Sequence, residues 1–155
     1  MTTIQDNKTV ITPFFAAFDK NEFDACEKMC APTLQAHFAD WEMDLKGYRQ
    51  YGEMYRKAFM DLKCNIEFQV AEGDLVVSYV RYDGTQRGEL MGIAPTNKRA
   101  ITQGINIQRV QNGKIVEVWG LSDGVQLLTQ LGQTQLPKMP TQAKKTGQGY
   151  VQPHN

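Results

Sequence analysis

The chain has 155 residues and a formal net charge of zero at pH 7. This length supports one domain with a sizeable core, and the balanced charge argues against nucleic acid or an anionic membrane as the main partner. No apolar run approaches the ~18 residues that a membrane-spanning helix needs, and the polar first residues lack a secretory signal pattern. We therefore expect a cytoplasmic protein that binds neither nucleic acid nor membranes.

The cysteine content points to reduced, structural thiols. The chain has three cysteines, Cys26, Cys30 and Cys64, and an odd number suits a reducing compartment better than a disulfide framework. Cys26 and Cys30 share one helix face, but no His or Cys pair completes a metal site, so no metal is expected. The G-x-S-x-G, H-E-x-x-H, P-loop and G-x-G-x-x-G patterns are also missing, and we expect no cofactor.

The first part of the chain has helical periodicity. Apolar residues at 3–4 spacing predict a first helix, and a second, shorter helix should end before a proline. A strand, a loop and a third helix with an aromatic face should follow. The five predicted elements are a helix at Thr9–Phe18, a helix at Phe23–Cys30, a strand at Thr33–Phe38, a loop at Asp40–Asp44 and a helix from Gly47 to about Met60.

The rest of the domain alternates between apolar and polar residues, which is typical of strands. The predicted strands are Cys64–Val70, Leu75–Tyr82, Thr85–Leu90, Ile101–Gln108 and Ile115–Trp119. Met91–Ile93 is predicted to be helical, Asn112-Gly113 is a strong hairpin signal, and Val125–Leu131 reads as a short helix that ends at a glycine. Helices followed by a meander of strands predict an α+β domain with helices packed on one face of a curved sheet.

Three consecutive sequence blocks resemble a known family. GELMGIAPTNKR, GINIQRVQNGKIVEVW and D-x-x-x-LLTQLG are similar, in the same order, to motifs of the SnoaL-like polyketide cyclases, also called ester cyclases. APTLQAH and KGYRQYGEMYRKAFMDL resemble the earlier blocks of that family. The resemblance covers roughly Val10 to Gly132. It implies a cone-shaped α+β barrel of the nuclear-transport-factor-2-like type, in which a curved, mostly antiparallel sheet with helices on its concave side encloses a small-molecule pocket.

The chain is expected to form one domain and a tail. We assign residues 1–132 to the domain and residues 133–155 to a polar C-terminal tail, whose composition is typical of disorder. The strand Leu75–Tyr82 carries apolar residues on both of its faces, so the outer face of the sheet is expected to be too apolar to stay in water. A homodimer, or a higher homo-oligomer, that forms through the sheets with the tail over the partner is the expected assembly.

Asp123 is the candidate catalytic residue. From the residues alone, Asp123 could cap the helix that follows it, a common role of aspartate. It could instead act as an acid or base whose pKa is raised beside an apolar cavity, since strict alternation would carry it to the same side as Trp119. The resemblance favours the second role, because the catalytic acid/base of the family occupies this position of the D-x-x-x-LLTQLG block.

Seven further residues are candidates for contact with a substrate: His37, Trp41, Tyr51, Tyr55, Gln86, Asn106 and Trp119. His37 matches a pocket-facing histidine of the family, although a lone histidine at a strand end is more often packed or partly exposed. Asn106 could donate a hydrogen bond to an enolate oxygen or face solvent. Trp119 could form the floor of the pocket or fill the core, and core filling is the better expectation for Tyr51 and Tyr55.

The chain departs from the family pattern at several positions. Gln86 and Val118 stand where many members carry histidine, Thr33 replaces an aspartate and Gln126 replaces a glycine. Asp123 therefore has fewer partners for proton relay. The resemblance implies a cofactor-independent cyclase or isomerase of a polyketide-like carbonyl compound, in which Asp123 removes a proton α to a carbonyl and returns one to the product. The alternatives are a hydroxylation component of a polyketide pathway and a non-catalytic domain that binds a small molecule.

Overall fold

In the computed structural model, residues 4–39 and 41–134 are described. They form α1 (Ile4–Asp19), α2 (Phe23–Lys28), β1 (Cys30–Phe38), β2 (Trp41–Met43), α3 (Leu45–Ala58), β3 (Lys63–Glu72), β4 (Leu75–Thr85), β5 (Arg99–Gln111), β6 (Lys114–Ser122) and α4 (Gly124–Gln130). None of the described helices is long and apolar enough to cross a membrane. The predicted tail lies almost entirely outside the described residues, so the domain boundary at residue 132 stays a prediction.

The six strands form one sheet in the spatial order β2-β1-β6-β5-β4-β3. β1 and β6 are parallel, and all other neighbouring strands are antiparallel. Register shifts interrupt the β1–β6, β3–β4 and β5–β6 pairs, and irregularities of this kind bend a sheet. The first three helices cover its concave side, where their apolar residues join the core. The predicted α+β fold is confirmed.

Alternation along the strands separates a buried face from a partly exposed one. On β4, the side chains of Val76, Ser78 and Val80 are fully buried, whereas the residues between them are only partly buried. β5 repeats this pattern, with its even-numbered residues on the buried side. The even-numbered residues of these two strands therefore form the concave wall of the domain.

The β5–β6 hairpin forms as predicted. Gln111 pairs with Lys114, and the two residues between them, Asn112 and Gly113, have φ values of 51° and 72°. A two-residue hairpin with positive φ at both central positions matches the twist of the flanking strands, and asparagine followed by glycine adopts it at low cost.

Three predicted elements around the loops are wrong. Trp41–Met43 forms strand β2 instead of a loop, because it pairs with the end of β1. Thr85–Leu90 is not a strand, since β4 ends at Thr85 and Leu90 forms an isolated bridge with Ile93. Met91–Ile93 is not helical, because Met91 and Gly92 have φ values of 46° and 84°, and right-handed helices need negative φ.

The second helix also ends earlier than predicted. α2 stops at Lys28, and Cys30 already begins β1. Pro32 lies inside β1, in the stretch where the register with β6 shifts between Cys30 and Gln35. An irregular stretch of this kind accommodates a residue that cannot donate a main-chain hydrogen bond.

The outer face of the sheet carries a row of apolar side chains. Phe68, Tyr79, Ile105 and Leu121 are successive cross-strand partners on β3, β4, β5 and β6, and Leu121 is 69% exposed. A continuous apolar row of this kind is typical of an interaction surface. The homodimer through the sheets stays a prediction, which a monomer mass in light scattering would contradict.

Arg56 on α3 is a buried cation that the sequence did not identify. Only 6% of its surface is exposed. Its guanidinium donates hydrogen bonds to four oxygens, namely the main-chain oxygens of Asp19, Met60 and Leu62 and Oδ1 of Asn21. Because these acceptors lie at or just after the ends of α1 and α3, the side chain of Arg56 connects both helix ends to the segment that leads into β3.

Replacing this cation should destabilise the fold. We expect Arg56→Leu to lower the free energy of unfolding by roughly 3 kcal/mol, since each buried acceptor left without a donor costs ~1–3 kcal/mol. Urea denaturation measures the change. Arg87→Leu is the control, because the Arg87 side chain is 54% exposed and should change stability by no more than ~0.5 kcal/mol. Equal effects of the two substitutions would contradict this role of Arg56.

Candidate active site

The concave face and the helices enclose a cavity of about 160 Å³ with mostly aromatic walls. α3 contributes Tyr48, Tyr51 and Tyr55 from one face, because positions i, i+3 and i+7 lie on the same side of a helix. The Phe14 ring of α1 stacks on Tyr48, with 6.1 Å between ring centres and 4° between planes. The Tyr51 ring lies 5.1 Å from that of Tyr55. These walls fit a flat, largely apolar molecule.

The concave wall adds a polar pair to this cavity. Asn106 of β5 is 8% exposed, and its Nδ2 donates to the phenolic oxygen of Tyr82 on β4 at 2.6 Å. Both residues line the cavity. Burial raises the pKa of Tyr82, and the hydrogen bond from Asn106 opposes this effect only in part. The Tyr82 phenol therefore stays protonated at neutral pH. The sequence placed Asn106 among the site candidates but missed Tyr82.

Asp123 lines the same cavity and also caps α4, because its Oδ1 accepts the main-chain N–H of Gln126 at 2.8 Å. The capping role considered from the sequence is therefore observed, and the acid/base role stays a prediction. The side chain is exposed, however, so the prediction of a desolvated carboxylate walled by aromatic carbon is wrong. Alternation along β6 would place Asp123 on the same side as Trp119, but β6 ends at Ser122 and the chain turns into α4 at Asp123. Asp123 therefore belongs to the open side of the cavity.

Glu27 is the second carboxylate on the cavity wall, but it forms an ion pair with Arg49. The distance from Arg49 Nη1 to Glu27 Oε2 is 2.6 Å, and Arg49 also pairs with Asp24 and Glu53. Asp123 forms no ion pair with the described part of the chain. The second oxygen of Asp123 has no hydrogen-bond partner in the described part of the chain and is available to a ligand.

The three cysteines also line the cavity. Burial raises the pKa of Cys26 to about 11 and that of Cys30 to about 12, and it raises the pKa of Cys64 as well. Protonated thiols are weak nucleophiles and weak metal ligands. Among the described residues, no group of three or more acidic, histidine or cysteine side chains could hold a metal ion.

His37 and Trp119 do not belong to the cavity wall. They are cross-strand partners on β1 and β6, and their rings stack with 5.4 Å between centres. Their neighbours Ala36 and Val118 are fully buried, so alternation turns His37 and Trp119 to the outer face. The predictions that His37 and Trp119 face the pocket are therefore wrong, because the identity of a strand residue does not fix which face it occupies.

The outer face instead carries a charged cluster around the Trp119 ring. His37 Nε2 lies 3.0 Å from Glu117 Oε1, and His37 Nδ1 contacts Glu42. Arg109 pairs with the second oxygen of Glu117 at 3.2 Å, and its guanidinium carbon lies 5.6 Å from the centre of the Trp119 ring. Glu117 thus bridges His37 and Arg109, whose side chains flank one indole.

Trp41 and Gln86 lie near the cavity without lining it. Trp41 is 49% exposed and meets Tyr51 edge-on at 6.0 Å. Gln86 is fully buried, and its amide is used to order the loop from residue 86 to residue 98. It donates to main-chain oxygens of Gly88, Ile93 and Ala94 and accepts from Thr96. Tyr51, Tyr55, Asn106 and Asp123 are therefore the predicted site residues that the fold brings together.

Comparisons with known proteins agree with this fold. A family model described as SnoaL-like polyketide cyclase matches residues 8–131. AclR from Streptomyces galilaeus, provisionally assigned as a hydroxylase, is 27% identical with a TM-score of 0.80, and the match covers 90% of this chain and 91% of AclR. IdmH from Streptomyces antibioticus, provisionally assigned as a polyketide cyclase, is 28% identical with a TM-score of 0.73, over 81% and 98% of the chains. No curated protein matches in sequence.

The cluster on the outer face should make stability depend on pH. The hydrogen bond to Glu117, with a further contribution from Glu42, raises the pKa of His37 above its ordinary value of 6.5. A pKa that is raised in the folded state stabilises the fold below the unfolded-state pKa, and this stabilisation is lost as pH rises through the folded-state pKa.

We therefore expect the loss of unfolding free energy caused by His37→Gln to be larger near pH 6 than near pH 9. Urea denaturation of both proteins at the two pH values measures it. In a Glu117→Gln background the pH dependence of this difference should shrink, because the largest cause of the raised pKa is gone. The same difference at both pH values would contradict the assignment.

Proposed function

The chain belongs to the SnoaL-like polyketide cyclase family, and we propose that it is a cofactor-independent cyclase or isomerase of a polyketide-like carbonyl compound. The observation that carries the proposal is the placement of Asp123, an unpaired carboxylate on the wall of an aromatic cavity. The other lining carboxylate, Glu27, is ion-paired with Arg49, so Asp123 is the carboxylate better suited to move a proton.

In the proposed reaction, Asp123 removes a proton from the carbon α to a carbonyl. The C–H electron pair forms an enolate, whose carbon attacks a second carbonyl of the same molecule and forms a carbon–carbon bond. The protonated Asp123 then returns its proton to the alkoxide that results. General acid–base help of this kind contributes ~10²–10⁴-fold in rate. The aromatic walls supply the rest by holding the flexible substrate in a reactive, folded geometry.

The hydrogen bond by which Asp123 caps α4 also helps to orient its carboxylate for proton transfer. Asp123 Oδ1 is held by the N–H of Gln126 at 2.8 Å, and the main-chain N–H of Asp123 donates to the Gln103 oxygen at 3.2 Å. These two hydrogen bonds fix the direction of the carboxylate. Oδ2 is left to accept the substrate proton, so capping and proton transfer use different oxygens of one side chain.

Asp123→Asn tests the proposal, because asparagine can still cap a helix but cannot accept the proton. We expect the variant to keep the melting temperature of the wild type and to lose ~10²–10⁴-fold of its proton-transfer activity. The assay follows deuterium exchange at the α carbon of 2-tetralone, an aromatic ketone, by NMR in heavy water. Full exchange activity in the asparagine variant would rule out Asp123 as the base.

Asp44 provides a matched control. It caps α3 as Asp123 caps α4, accepting the N–H of Gly47 at 2.8 Å, and it does not line the cavity. Asp44→Ala and Asp123→Ala should each cost ~1 kcal/mol of stability, but only Asp123→Ala should lose exchange activity. Wild-type protein that binds 2-tetralone without accelerating exchange would favour a non-catalytic binding domain.

The similarity to AclR supports a second candidate, a hydroxylation component of a polyketide pathway, because that relative is provisionally assigned as a hydroxylase. Such a reaction consumes oxygen, whereas the cyclisation proposed above does not. Measurement of dissolved oxygen during turnover of an aromatic polyketide substrate separates the two. Stoichiometric oxygen uptake would favour the hydroxylation role.

A further inference from the structure

The position of the Tyr82 ring depends on a glycine in the neighbouring strand. Tyr82 pairs with Thr102, and Asn106 pairs with Ser78. Asn106 therefore lies four residues beyond the partner of Tyr82 on β5. Gly104 lies between Thr102 and Asn106 on the same face. A Cβ atom at Gly104 would come within 2.8 Å of Tyr82 Cε2. Because Gly104 has no side chain, the ring can lie flat across β5 and reach Asn106.

The hydrogen bonds of the pair leave one proton without an acceptor in the described part of the chain. Asn106 Nδ2 donates to the phenolic oxygen of Tyr82 at 2.6 Å. A phenol has one O–H donor in addition to its acceptor lone pairs. Because its oxygen accepts from Asn106 and both residues line the cavity, the Tyr82 hydroxyl has its own proton free to donate to a group bound there.

The surroundings of Tyr82 suit a neutral donor and not a base. Burial raises the pKa of this phenol, so the hydroxyl keeps its proton at neutral pH. An enolate forming inside aromatic walls loses much of its hydration, and a fixed donor aimed at its oxygen is then worth more than the same donor in water. Asp123, on the open side of the cavity, has the opposite character, an unpaired carboxylate that can accept a proton.

We propose that Tyr82 donates a hydrogen bond to the oxyanion of an enolate bound in this cavity, and that Asn106 and Gly104 position it. This inference rests on the proposed function, in which an enolate forms, and it adds the group that stabilises the negative charge. Asp123 and Tyr82 thereby divide the reaction, since one side chain removes the proton and the other holds the oxygen that becomes charged.

The test measures binding of an oxyanion and needs no proton transfer by Asp123. The probe is 4-nitrophenolate, a delocalised aromatic oxyanion, and nitrobenzene is its uncharged counterpart without the oxygen. We expect Tyr82→Phe to weaken binding of 4-nitrophenolate by roughly 10-fold or more, as expected for a hydrogen bond to a charged group, and to leave nitrobenzene binding unchanged. The absorbance shift of the bound anion, which reports donation to its oxygen, should be lost as well.

Tyr79→Phe is the matched control, because Tyr79 lies three residues earlier on β4 and stacks with Phe68 on the outer face. It should bind both probes as the wild type does. Equal 4-nitrophenolate affinity in the wild type and Tyr82→Phe would overturn the proposal, and so would a wild type that binds nitrobenzene as tightly as the anion. Unchanged nitrobenzene binding also shows that the cavity of Tyr82→Phe is intact.

Asn106→Leu tests the positioning role. If Asn106 acts through Tyr82, the leucine variant should also bind 4-nitrophenolate more weakly, and the double variant with Tyr82→Phe should bind no more weakly than Tyr82→Phe alone. Additive losses would overturn the positioning role of Asn106.

The result is distinguishable from a failure of the proposed function. Asp123→Asn should lose deuterium exchange and should not weaken 4-nitrophenolate binding, whereas Tyr82→Phe should lose the binding preference. Loss of exchange in Asp123→Asn together with unchanged anion binding in Tyr82→Phe would leave the base in place and overturn the oxyanion donor. The reverse combination would keep the donor and remove Asp123 as the base.

Discussion

The register of β5 is the constraint on which both surfaces of the sheet depend. β5 pairs with β4 along its length and with β6 on its other edge, so its alternation sets the direction of side chains on both neighbours. The even-numbered residues, Asn106 among them, face the helices and the cavity, and the odd-numbered residues such as Ile105 face outwards. A shift of one residue would exchange the two faces completely. The cavity and the apolar outer row are thus two consequences of one pairing.

Charged side chains are also distributed unequally between the two faces of the sheet. Arg109, Glu117 and His37 form their cluster on the outer side, whereas the cavity holds phenols, thiols and an amide in its interior. Among the described residues, the acidic and basic side chains that line the cavity are those of Asp123, which is exposed, and of Glu27 and Arg49, which pair with each other. This division follows from the cost of burying an unpaired charge. It leaves the interior suited to an aromatic ligand and to neutral hydrogen-bond donors.

Local sequence signals predicted what depends on local chemistry. Asn112-Gly113 correctly predicted the β5–β6 hairpin, and the spacing of the aromatic residues in the sequence predicted the aromatic face of α3. Alternation alone could not say which face of β1 or β6 would be buried, which explains the errors at His37 and Trp119. Loop 86–98 was misjudged for a different reason. Gln86 is buried and hydrogen-bonded to the main chain of the loop, and such tertiary hydrogen bonds leave no periodic signal. Tyr82 was missed because its link to Asn106 spans two strands.

The departures from the family pattern have structural explanations in this chain. Gln86, where many members carry histidine, uses its amide to order a loop, and Val118, at another such position, is fully buried in the core. His37, the one histidine among the described residues, is bound by Glu117 on the outer face. No imidazole therefore lines the described cavity. In the proposed mechanism, the carboxylate of Asp123 both accepts the proton from carbon and returns one to the product. Neutral hydrogen-bond donors must then stabilise the negative charge on the enolate oxygen. A site of this composition suits an intramolecular rearrangement that consumes no proton overall, because one proton is taken from carbon and one is given to oxygen.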